Sequence, residues 1–238
     1  MHDTIRKASL AAGALLGLAV SQAHASTITL PLGNLHTGAD ILNYFNGGND
    51  SVANDGTGPN LGITFSSNAT VQKAGSNAAT GAGKFENEPS GQGEVLYFGF
   101  ANPATANAMN YAAGFTGVSF DYALASNSSL YNGTVDIWSG LNGTGTLLDT
   151  FSLTAAANTV GCTARTDSYC TWSLASTAGT QFGTAESVTF GTNSTAPFTE
   201  FDGVKLTTSP VPLPAAGWLL MSGLAGLGGL ARRRRVAA

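Results

Sequence analysis

Gly117-Val-Ser-Phe-Asp-Tyr-Ala-Leu124 alternates with a strict period of two, which puts Val118, Phe120, Tyr122 and Leu124 on one face. A period of two is the period of a β-strand, and it is incompatible with the 3.6-residue stripe of an amphipathic helix. The same period recurs along the chain. Gly133–Trp138 sets Val135 and Ile137 together, and Leu147–Leu153 sets Phe151 beside Leu153. Further candidates lie at 61–66, 94–100, 186–190 and 201–207, separated by Gly, Asn and Ser turns. Residues 139–145 (SGLNGTG) read as a hairpin loop, whose glycines and asparagine accept positive φ. No amphipathic helix of useful length competes with these strands. The fold class is therefore all-β. Many short strands at roughly 8–12-residue spacing predict a two-sheet antiparallel sandwich of jelly-roll type.

Residues 26–208 hold enough chain for one such domain and too little for two. Across that span Lys73, Lys84, Arg165 and Lys205 face 13 acidic residues. This excess of negative charge argues against nucleic acid as a partner. Richness in Gly, Ser, Thr, Asn and Ala is typical of secreted β-proteins with long polar loops.

The ends of the chain have a different character. Arg6 and Lys7 precede a 13-residue apolar stretch, Ala8–Val20, and Ala23-His24-Ala25 forms an A-x-A cleavage site. That layout is a secretory signal, too short to span a bilayer, with cleavage expected after Ala25 and a mature chain starting at Ser26. Near the other end, residues 215–231 (AAGWLLMSGLAGLGGLA) carry no charge, and Arg232, Arg233, Arg234 and Arg235 follow at once. Seventeen residues reach the lower limit of a transmembrane helix, and four guanidinium groups are expected to remain cytoplasmic. A soluble core helix leaves the terminal clustering of charge unexplained. A nucleic-acid tail leaves the apolar run unexplained. Expected boundaries are thus a signal at 1–25, a β-sandwich at 26–208, a linker at 209–214, a membrane helix at 215–231 and a basic tail at 232–238.

Val211-Pro212-Leu213-Pro214 stands immediately before the apolar run. This motif, the glycine-rich apolar helix and the arginine cluster together resemble the PEP-CTERM sorting tail. Leu213 occupies the position at which the name-giving Val-Pro-Glu-Pro motif has glutamate. The resemblance covers about residues 210–235. It implies recognition by exosortase, a membrane-embedded cysteine protease of bacteria that make extracellular polysaccharide. The two prolines fix φ and remove backbone donors, so 211–214 stay extended and open to a protease. The body at 60–207 resembles, through strand-and-turn rhythm alone, the β-sandwich of many PEP-CTERM proteins and lectin-like jelly rolls. The implied partners are the Sec machinery, exosortase, the inner membrane as a transient anchor, and extracellular polysaccharide.

Cys162 and Cys170 are the only cysteines, close together in a chain bound for an oxidising compartment, so a disulfide is expected. With no histidine nearby, a metal pair or a nucleophile is disfavoured. Signatures of catalysis are absent: His36 is the only histidine beyond residue 25, and no nucleophile elbow, zinc motif or phosphate loop occurs. Glu86 and Glu88 have the spacing of strand neighbours, but glycosidase acids normally flank the substrate from separate segments, so a solvated loop is expected. No enzymatic activity is expected. Asp202 lies in phase with Val204 and Leu206, which places it on the buried face at the start of a strand. A carboxylate there must be hydrogen-bonded, paired or metal-bound. Structural calcium, with Asp50 and Asp55 from an oxygen-rich loop that also holds Asn46 and Asn54, stands beside a plain strand-end hydrogen bond as the two readings. Tyr97, Tyr122, Tyr131, Trp138 and Trp172 are candidate stacking faces for carbohydrate, and Trp138, out of phase with Ile137, is expected on the outer sheet face. The expected role is that of an exported envelope or matrix protein, with a carbohydrate-binding or calcium-dependent adhesive module as the alternative and a secreted polysaccharide hydrolase as a distant third.

Overall fold

A computed structural model describes residues 25–52, 56–73, 87–98, 107–124, 133–154, 171–177, 182–192 and 199–209. Eleven strands are described: β1 (Thr27–Thr29), β2 (Ile63–Phe65), β3 (Ala69–Lys73), β4 (Glu94–Phe98), β5 (Ala108–Phe115), β6 (Gly117–Leu124), β7 (Gly133–Gly140), β8 (Thr144–Leu153), β9 (Ser173–Ser176), β10 (Ala185–Thr192) and β11 (Thr199–Thr207). They form two antiparallel sheets. One runs β3-β4-β11-β6-β9, with β1 also paired to β11; the other runs β2-β5-β10-β7-β8. The all-β class and the two-sheet arrangement expected from the alternating runs are both present.

Large aromatic side chains fill the space between the sheets. Phe98 stacks on Phe190 with ring centroids 4.5 Å apart, and Phe201 meets Phe190 edge-on at 4.7 Å. Phe120 reaches Phe201, Phe190 and Phe151. Phe98, Phe120 and Phe201 come from one sheet, Phe151 and Phe190 from the other, so these rings join the two layers directly. Edge-to-face packing adds about 0.5–1.5 kcal/mol per pair beyond the area buried. Val118, Val135, Ile137 and Val188 complete the same layer, fully buried or nearly so.

One loop and four strands depart from expectation. The loop between β7 and β8 is shorter than 139–145, because β7 continues to Gly140 and β8 begins at Thr144. A 3-10 turn at Leu141–Gly143 connects them, and Asn142 (φ 55°) and Gly143 (φ 70°) adopt the left-handed backbone that their residue types favour. Strands β1, β3, β5 and β9 had no recognisable signal. β5 reads Ala-Met-Asn-Tyr-Ala-Ala-Gly-Phe, too rich in small residues to alternate.

The beginning and end of the described unit meet. Thr208 N donates to Ser26 O (2.8 Å), and the hydroxyls of Ser26 and Thr208 lie 2.7 Å apart. β1 pairs with the last three residues of β11, so Ile28 lies opposite Leu206. Among the described residues no helix is long and apolar enough to cross a membrane; residues 215–231 lie outside them.

Candidate functional site

The final strand carries an irregularity that decides which side chains face outward. Asp202 pairs with Asp121 and Lys205 with Ser119, so β11 spends one residue more than β6 over this stretch. That is a β-bulge, and Gly203 supplies it with φ at 56°. The extra residue breaks the period of two. Phe201, Val204 and Leu206 all join the inter-sheet core, while Asp202, next to Phe201 and opposite Asp121, alternates to the other face. This corrects the expectation that Asp202 shares a face with Val204 and Leu206. The carboxylate points away from the core, on the outer face of the six-stranded sheet, beside Asp121.

Part of that outer face is nevertheless buried: Asp202 is 0 % and Glu200 1 % exposed, and Gln72, Val95, Tyr97 and Ala123 are buried around them. Of the described residues, the turn before β4 covers Asp202, where Ser90 N donates to Oδ2 at 2.7 Å. Asp202 Oδ1 has no partner. Burial and the Asp202 charge push the Asp121 carboxyl up from its ordinary value, and Lys205 pulls it back. Burial drives the Glu200 carboxyl well above its ordinary value, and its Oε2 is unpartnered as well. A buried, unsatisfied carboxylate oxygen carries a desolvation cost of a few kcal/mol, so two on one strand are a concentration of unfavourable energy.

The turn over Asp202 is itself locked. Glu88 Oε1 accepts from Gly93 N (3.0 Å), closing the turn locally, so this carboxylate is engaged in structure. Gln92 Oε1 accepts from Leu32 N (2.6 Å) and Gly33 N, and its amide nitrogen donates to Leu30 O, which clamps the chain after β1. Sequence reading passed over both Gln92 and Asp121. Asp121 announces itself only through its cross-strand neighbour.

Asp50 is not brought to Asp202. Its Oδ1 accepts from Val52 N in a local turn (3.0 Å). The loop holding it is tied to the far edge of the sheet through the Asp40–Thr70 bridge and the Ser51 N–Asp40 O bond. β3 and β4 lie between that edge and β11, and each strand step is about 4.8 Å. Among the described residues no three His, Cys, Asp or Glu side chains gather into a metal-holding group. Asp55, Asn54, Glu86, Tyr131, Cys162 and Cys170 lie outside the described residues, as do Ala23, Val211, Pro212, Leu213, Pro214 and Arg232 to Arg235. Ala25 and Ser26 are described and exposed.

The outer face of the five-stranded sheet is polar and partly open. Trp138 is half-buried on it, as its phase predicted, and Nε1 donates to Thr189 Oγ1 (2.9 Å). The Leu141–Gly143 turn folds back over this face. Asn142 N donates to Asn110 Oδ1 (2.7 Å), Asn110 Nδ2 donates to Asn142 Oδ1 (2.9 Å), and Gly143 N donates to Ser187 Oγ (3.0 Å). Tyr97 and Tyr122 are buried, so neither offers a stacking face to a ligand. A scan of protein-family models finds no match for this chain, and a search of curated proteins finds none either.

Proposed function

We propose that this chain is an exported, non-enzymatic β-sandwich of jelly-roll type. On this reading it enters the Sec pathway through residues 1–25, is held at the periplasmic side of the inner membrane by 215–231 and Arg232–Arg235, and is released by exosortase at Val211–Pro214. It then serves in the cell envelope or the extracellular polysaccharide matrix, with Cys162 and Cys170 joined by a disulfide. The observation that carries the reading is the three-part order of extended proline motif, uncharged apolar run and arginine cluster. The pairing of Ser26 with Thr208 supports it, because it brings the two ends of the described sandwich to one place. Loss of either segment removes none of the described strands.

Intact-mass analysis of the exported protein tests the proposal. The expected species begins at Ser26 and ends near Pro214, and replacing Pro212 and Pro214 with Ala makes the precursor accumulate in the membrane. A mature species that retains Arg232–Arg235 refutes sorting by this tail. A second reading, a carbohydrate-binding module, is favoured by half-buried Trp138 beside the Asn110–Asn142 pair on an open sheet face. Selective retention on a glycan array supports it.

A further inference from the structure

The outer face of the six-stranded sheet sets two carboxylates directly opposite each other on neighbouring antiparallel strands, Asp121 on β6 and Asp202 on β11. Directly opposed residues have Cβ atoms about 4.5–5.5 Å apart, and like charges there repel. A cross-strand pair of acids with nothing between them is a costly choice for a sheet. Here it is costlier, because Asp202 is fully buried and, among the described residues, no ion pair reaches it. Its two oxygens are used unequally. Oδ2 is held by Ser90 N, which fixes the side chain, and Oδ1 has no partner at all.

The backbone makes room for something beside them. A Cβ at residue 203 would stand 3.3 Å from Asp121 Oδ2, so Gly203 leaves space where any other residue would crowd that oxygen. Access also exists on one side. Across β6 from Asp202, the neighbour of Asp121 is Leu174 on edge strand β9, and it is 70 % exposed. Lys205, the next outward-facing residue on β11, is exposed and sits opposite Ser119, so it screens the pair from a distance without pairing to it.

We propose that Asp121 and Asp202 together bind a divalent cation, calcium by preference, on the outer face of the sandwich. Hard carboxylate oxygens suit calcium, two carboxylates match its charge, and calcium accepts an irregular shell completed by water and backbone carbonyls. Magnesium demands a near-ideal octahedron and gives up its waters reluctantly, which suits a two-carboxylate sheet site poorly. The cation turns a repulsive cross-strand pair into a bridge between β6 and β11, so its structural effect is to fasten the bulged last strand to its neighbour. The site does not depend on the sorting proposal, and its failure leaves that proposal untouched.

Thermal melting and titration calorimetry of the full chain with calcium chloride provide the test, with the metal removed by chelator as reference. Asp121→Asn and Asp202→Asn keep the side-chain shape, and Asn Oδ1 still accepts from Ser90 N, so both variants are expected to fold. Wild type should bind one calcium and melt about 5–10 °C higher at a hundredfold excess over Kd. Each variant should bind at least tenfold more weakly and lose that shift. Asp136→Asn, on the other sheet, should behave as wild type. If Asp202→Asn fails to fold, Asp121→Asn alone carries the comparison, since Asp121 is only partly buried. No stoichiometric binding by wild type overturns the proposal, as does an equal shift with magnesium or with sodium chloride at matched ionic strength. Undiminished binding by Asp121→Asn overturns it too.

Discussion

Gly203 is where a single methyl group tests the architecture most directly. Its φ of 56° lies in the left-handed region, which costs an L-residue with a Cβ about 1–2 kcal/mol. The added Cβ would also approach Asp121 Oδ2 to 3.3 Å, tighter than ordinary contact. Asp121 is partly exposed and its carboxylate can turn aside, so crowding adds less than the backbone does. Gly203→Ala should therefore destabilise by about 1–2 kcal/mol, lowering Tm by about 2–8 °C for a domain of this size. Gly203→Asn should cost less, because asparagine tolerates the left-handed region, and Gly203→Val should cost most, because β-branching does not. Combining Gly203→Ala with Asp121→Ala relieves the crowding and should leave the backbone cost in place. Deleting Gly203 restores the period of two along β11. It forces either Phe201 or the Val204–Leu206 pair out of the core, and should prevent folding. Urea denaturation in the presence of chelator, followed by tryptophan fluorescence, measures all of these on one scale. If Ala and Val variants are as stable as wild type, no bulge exists at this position. The placement of Asp202 on the outer face would then be wrong.

Two further outcomes follow from the core and from the buried acid. Phe190→Ala removes the ring that stacks on Phe98 and touches Phe120 and Phe201; it should cost about 3–5 kcal/mol, seen as a lower urea midpoint at unchanged slope, whereas Leu174→Ala on the exposed edge should stay within about 0.5 kcal/mol. Glu200 holds its proton in the folded state above the pH at which the unfolded chain releases it, so stability falls as pH rises from about 4.3, by up to about 1.4 kcal/mol per pH unit, until the raised folded value is passed. Glu200→Gln should flatten that slope in urea midpoints measured with chelator between pH 5 and 8, and identical slopes for the two proteins would show that Glu200 is ionised in the fold.

What the residues determined on their own is local. The runs at 117–124, 133–138, 147–153 and 186–190 became strands because alternation needs only the chain's own chemistry and one buried face. The turn glycines and Asn142 took up positive φ for the same kind of reason: a missing Cβ or a short polar side chain is a property of the residue. β5 and β9 went unseen because Ala, Gly and Ser give no periodic contrast, whereas β4, expected at 94–100, was legible although it is buried at every position. β3 and the short β1 gain their place from pairing partners distant in sequence. The candidate site divides the same way. Asp202 drew notice as a carboxylate within an apolar strand, but its face was misassigned, because a one-residue bulge reverses every phase before it and leaves no mark in the pattern beyond a single glycine. Asp121 drew none, since its importance rests on a cross-strand neighbour some eighty residues away. Alternation is a property of one strand and can be read along it. Register, bulges and the facing of two acids are properties of a pair of strands, and they exist only once the chain has folded.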